Sequence, residues 1–125
     1  MPNTILIADD NGTVRRAICE AFTREPDFQV CGEAQDGQDA IEKAERLRPD
    51  LIVLDLTMPV MNGLEAGRAL KARMPSVPII LFTMYVDQFL EQAARAAGIA
   101  DVVSKNDHLS VLIHKVRGLL SRRAA

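Results

Sequence analysis

The sequence has no tryptophan, one tyrosine and four phenylalanines among its 125 residues. These rings, Phe22, Phe28, Phe82, Tyr85 and Phe89, are not spaced as a base-stacking platform. The net charge is -2 and no basic stripe is present, so direct contact with nucleic acid is disfavoured. Only two cysteines occur, Cys19 and Cys31, and they form neither a CxxC pair nor a Cys/His cluster. Both read as inert thiols. No apolar run approaches membrane-spanning length, and the start lacks a basic segment followed by a long apolar one. No membrane partner is expected. The glycine patterns GxxxxGK[ST] and GxGxxG are missing, which leaves nucleotide binding without a motif. No linker or low-complexity stretch divides the chain. The expectation is one cytoplasmic domain over 1–125 with reduced thiols.

What is present is apolar content, 48% of the chain, arranged in a rhythm repeated five times. Apolar, β-prone runs at Thr4–Ala8, Phe28–Ala34, Leu51–Leu54, Pro78–Phe82 and Asp101–Ser104 each precede a helical pattern. The first helix carries Val14, Ala17, Ile18, Ala21 and Phe22 on one face, with Asn11 or Asp10 as its cap. The second opens at Asp36-Gly37 and carries Ala40, Ile41, Ala44 and Leu47. A third spans about Gly63 to Arg73. Gly63 and Gly67 in it are read as points of close helix–sheet packing. The fourth begins near Asp87, with Phe89, Leu90, Ala93, Ala94 and Ala97 expected inward and Gly98 as its stop. The fifth carries Leu109, Leu112, Ile113, Val116 and Leu120, with His108 and His114 expected on its surface and fraying at Arg122-Arg123.

Strands alternating with helices imply a parallel sheet with right-handed crossovers. The first, third and fourth strands are uniformly apolar and belong in the middle. The second alternates and the fifth is short, as edges do. The predicted fold is therefore α/β: a doubly wound, five-stranded parallel sheet in the order 2-1-3-4-5, the flavodoxin-like (βα)5 arrangement.

That order puts the topological switch point between the first and third strands, where ligands bind in open α/β sheets. Asp9, Asp10 and Asp55 all fall at the carboxyl ends of those two strands, and Thr83 and Lys105 at those of the fourth and fifth. A lone Asp9 or Asp10 reads as a helix cap, a lone Thr83 as a strand end and a lone Lys105 as a solvated loop residue. Capping does not explain a carboxylate after the third strand. Converging carboxylates repel one another, and such a cluster persists when a hard cation neutralises it. Oxygen-only ligation with room for water suits Mg²⁺. With an ammonium and a hydroxyl opposite, the set describes a phosphoryl site in which Asp55 is the nucleophile.

Asp9-Asp10, Asp55 with Met58-Pro59 and Met61 to Gly63 after it, Thr83 and Lys105 together resemble the receiver domain of two-component response regulators. The likeness spans essentially the whole chain. The wording Met61 to Ala66 is similar to receivers of the branch that carries a helix-turn-helix output domain. The resemblance implies that Asp55 accepts a phosphoryl group from a histidine kinase or phosphotransfer protein. It implies Mg²⁺ held directly by Asp10, Asp55 and the Thr57 carbonyl, and through water by Asp9. Thr83 and Lys105 would bind the phosphoryl oxygens. Catalysis would be limited to the domain's own phosphorylation and dephosphorylation. The modified state would shift the face formed by the fourth helix, fifth strand and fifth helix. An output partner, or a linked output domain in a longer form, would read that shift, and a homodimer is compatible with it.

Three positions depart from the family pattern. Asn106 follows Lys105 where receivers usually have a cis proline, which predicts a trans bond and a rerouted loop. Val102 replaces the switch aromatic, leaving Tyr85 as the nearest ring to substitute for it. Met84 follows Thr83 in place of a small residue and should narrow the approach to Asp55. These changes allow another reading, a receiver fold that binds partners without switching. A small Mg²⁺-dependent phosphohydrolase using the same aspartate is a further alternative, but 125 residues leave no insertion to build its lid.

Overall fold

The computed structural model describes residues 1–124. Its elements alternate: β1 (Asn3–Ala8), α1 (Gly12–Thr23), β2 (Phe28–Ala34), α2 (Gly37–Leu47), β3 (Leu51–Leu54), α3 (Gly63–Arg73), β4 (Ile79–Thr83), α4 (Gln88–Ala96), β5 (Asp101–Ser104) and α5 (Leu109–Ala124). The five strands are parallel, in the order β2-β1-β3-β4-β5. The expected α/β fold and strand order are those observed.

The sheet is built by period two. Leu6, Ala8, Ile52, Leu54, Ile79 and Leu81 face one side and pack with α2, α3 and α4 through Ile41, Leu70 and Leu90. Ile5, Ile7, Leu51, Val53, Ile80, Phe82 and Val103 face the other and pack with α1 and α5 through Ile18, Phe22, Leu112 and Val116. β3 is buried at every residue, as a strand covered on both faces must be. β2 is mixed in burial and lies at the edge; its register with β1 shifts between Ile5 and Leu6.

Helix starts follow the capping residues. Asn11 Oδ1 accepts from the Thr13 and Val14 N–H groups, so Asn11, not Asp10, caps α1. Asp36 and Asp87 cap α2 and α4. Asn62 and Glu65 form a reciprocal capping box on α3. Gly98 takes φ +87 just beyond α4, the left-handed conformation that glycine tolerates best.

Three helix expectations need correction. Phe89 is not inward: it is 81% exposed. α4 is short and rests on the narrow stripe Leu90, Ala94 and Ala97, and residue 89 lies about 100° round the helix from Leu90. α5 does not fray at Arg122-Arg123, because the Arg123 guanidinium donates to the Asp50 carbonyl at 2.6 Å. His108 lies just ahead of α5, where its Nδ1 accepts from the Ser110 N–H at 3.1 Å.

Candidate functional site

The sheet delivers its site residues by ending. Asp9 follows the last residue of β1 and is buried; its Oδ1 accepts from the Asn11 N–H at 2.9 Å. Asp10 comes next and is exposed, its carboxylate left out of the helix cap that Asn11 makes. Asp55 follows β3 and is buried, with its N–H donated to the Ala8 carbonyl at 2.9 Å. Thr83 closes β4 and is also buried. Lys105 follows β5, and its N–H donates to the Thr83 carbonyl at 2.7 Å.

The side chains converge. One carboxylate oxygen each from Asp9, Asp10 and Asp55 lie within 4.8 Å of one another. Lys105 Nζ stands 2.6 Å from Asp9 Oδ2 and 3.2 Å from Asp55 Oδ1. Burial, with the Asp9 charge adding to it, pushes the Asp55 carboxyl above the usual carboxylate range, and Lys105 opposes that rise. Three acidic groups against one ammonium leave an excess of negative charge, so a hard divalent cation fits this oxygen-only donor set. Thr57, Met84 and Tyr85 line the same open cleft. The predicted site residues Asp9, Asp10, Asp55, Thr57, Thr83 and Lys105 thus line one cavity.

The loop between Asp55 and α3 is shaped by close approaches. A Cβ on Gly63 would overlap the Asp55 carbonyl oxygen, and the Gly63 N–H donates to the Leu56 carbonyl at 2.8 Å. A Cβ on Gly67 would press on the end of Ile99. Both glycines do serve close packing, as expected. Between them and Asp55, Val60 takes φ +70, and the Met61 N–H donates to the Pro59 carbonyl at 2.7 Å across it. A β-branched residue in that region marks a strained turn.

Two contacts were not foreseen. Arg15 Nη1 donates to the Asp9 carbonyl at 2.6 Å while its Nε reaches Glu33 at 2.9 Å, bracing the acidic loop from α1. Asn106 Nδ2 donates to the Met84 carbonyl at 3.1 Å. The only sequence signal for the first was an arginine one helical turn past the cap; for the second, the sequence marked Asn106 and Met84 separately but not their contact. Among the described residues no peptide bond is cis, so the Lys105–Asn106 bond is trans, as expected. Val102 is half-buried against the core of the α4 side, and Tyr85 is 83% exposed. The cysteines are poor nucleophiles: burial raises both thiols, Cys19 to about 11. Among the described residues, no helix is long and apolar enough to cross a membrane.

Comparison with known proteins agrees with this fold. A family model described as the response regulator receiver domain matches residues 5–117. The response regulator protein VraR of Staphylococcus saprophyticus is 34% identical over 117 residues, covering 94% of this chain and 56% of VraR. A protein-glutamate methylesterase/protein-glutamine glutaminase of Myxococcus xanthus is 40% identical over 106 residues, covering 83% of this chain and 30% of that enzyme. The chain therefore spans about half, or less, of these relatives' lengths. The crystal structure of a LuxR-family two-component response regulator from Aurantimonas superposes with a TM-score of 0.93 at 28% identity, covering 98% of this chain and 88% of that one.

Proposed function

Given that the chain belongs to the response regulator receiver domain family, we propose that it is a signalling switch whose Asp55 accepts a phosphoryl group. The observation that carries this is the Asp55 carboxylate placed beside Asp9, Asp10 and the Lys105 ammonium at one open cleft. The donor is the phosphohistidine of a histidine kinase or phosphotransfer protein. An Asp55 carboxylate oxygen attacks phosphorus, the P–N bond breaks, and the imidazole nitrogen leaves with the electron pair and takes up a proton. An acyl phosphate remains on Asp55.

The chain's own groups divide the work. Lys105 offsets negative charge on the phosphoryl oxygens, and the Thr83 hydroxyl donates to one of them. Asp9, Asp10, Asp55 and the Thr57 carbonyl would hold Mg²⁺. When bound, that ion would draw further charge from the phosphoryl oxygens. The altered cleft would shift the face formed by α4, β5 and α5, which an output partner or linked output domain reads in the cytoplasm. The methylesterase activity in the name of the Myxococcus relative stays with that protein.

Intact-mass measurement after incubation with acetyl phosphate and Mg²⁺ tests the proposal. One phosphoryl adduct is expected on the wild-type chain and none on Asp55→Asn. Steady turnover of a free phosphate ester would point to a hydrolase instead. Val102 in place of the switch aromatic favours a second reading, a binding module that does not switch. Partner binding that is equally tight in wild type, phosphorylated chain and Asp55→Asn would establish it.

A further inference from the structure

The loops after β4 and β5 lean on each other at two successive points. The first is a main-chain rung, from the Lys105 N–H to the Thr83 carbonyl at 2.7 Å. The second comes one residue further along both loops and uses a side chain: Asn106 Nδ2 donates to the Met84 carbonyl at 3.1 Å. Asn106 is itself held. Its N–H donates to Ser104 Oγ at 3.0 Å, and the Asp107 N–H donates to the Ser104 carbonyl at 3.1 Å. A short turn therefore aims the carboxamide.

The receiving end of this contact bears on the cleft. Met84 and Tyr85 line it together with Asp55, Thr83 and Lys105, and both side chains are well exposed, at 48% and 83%. The Asp87 cap fixes the chain only from the start of α4 onward. Among the described residues, the Asn106 carboxamide supplies the hydrogen bond that ties down the segment 84–86 in between. Exposed apolar side chains gain little by staying over an acidic cleft. Their place there needs a tether in the backbone.

We propose that Asn106 is a positioning residue: through the Met84 carbonyl it holds the Met84 side chain across the cleft mouth and slows the approach of phosphodonors to Asp55. This rests on the reading of Asp55 as the acceptor. The side chain needed is a donor, so alanine releases the tether and glutamine retains it. Alanine at 106 frees the segment, and the entrance widens. With alanine at 84 there is no long side chain left to hold, so release has nothing further to open.

Two measurements on the whole chain test this. Tyr85 is the single tyrosine in a chain without tryptophan, so intrinsic fluorescence anisotropy reports on this segment alone. Asn106→Ala should lower that anisotropy, and Asn106→Gln should restore it. The initial rate of adduct formation from acetyl phosphate with Mg²⁺ should rise on the order of three- to tenfold in Asn106→Ala, the effect of one hydrogen bond. In a Met84→Ala background the same change should add nothing. Unchanged anisotropy beside normal uptake in the wild type overturns the role of Asn106 alone, as does equal acceleration in both backgrounds. A wild-type chain that takes up no phosphoryl group overturns the acceptor reading and, with it, the proposed control of access.

Discussion

Asp55 sits where its surroundings oppose ionisation. Burial and the Asp9 charge hold its carboxyl above the ordinary range, with Lys105 only opposing the rise. The folded chain thus binds this proton more tightly than the unfolded chain. The contribution to stability is fully present below the unfolded pKa of about 4 and is lost as pH rises through the folded value. At neutral pH without a cation, the ionised group works against folding. Asp55→Asn should therefore raise Tm by several degrees at pH 7 in chelator, with the gap closing toward pH 4. Lys105 keeps Asp9 as its partner in that variant. A lower Tm for Asp55→Asn in differential scanning calorimetry at pH 7 would contradict this account. Asp9, Asp10, Asp55, Thr83 and Lys105 were legible because each falls where an apolar run stops. What Arg15 and Asn106 bind was not. Each acts by donating to a carbonyl, 6 and 22 residues away respectively, and such contacts leave no periodic trace.

α3 fixes the loop that carries Asp55, and its two glycines do so unequally. A side chain on Gly63 would meet the Asp55 backbone, which cannot move without moving the site. A side chain on Gly67 would meet only the tip of Ile99, which can turn aside. Gly63→Ala should cost about 2–3 kcal/mol, the range of overpacking against rigid neighbours. Gly67→Ala should be near neutral, since about 1 kcal/mol of helix propensity offsets a small repacking. Urea unfolding decides between them, and equal losses at both positions would refute the distinction. The spacing of the two glycines was visible in the sequence, but not which one touches backbone. Helical period likewise located α4 but set Phe89 on the wrong side, because a stripe of alanines needs less width than the pattern allows. The end of α5 was misjudged for a different reason: Arg123 finds a carbonyl, Asp50, that only the folded chain supplies.

The fold as a whole was legible because the strands differ in kind. Those buried on both faces had to be central, and a parallel sheet then brings all carboxyl ends to one rim. The metal-binding part of the reading is tested at this scale. A ligand held only by the folded chain stabilises it, by about 2.7 kcal/mol at a hundredfold excess over Kd. Added Mg²⁺ should raise Tm, chelator should reverse the rise, and exposed Asp10→Asn should blunt it. A Mg²⁺ response that survives unchanged in Asp10→Asn would move the ion elsewhere. The same sheet that gathers the rim also partitions the interior. Phe22 and Val116 lie on one side of a hydrogen-bonded wall, and Leu70 and Leu90 on the other. The molecule has two oily compartments, each with its own jigsaw and no shared piece. Either can be repacked without disturbing the fit of its neighbour, so long as the wall keeps its strand ends level.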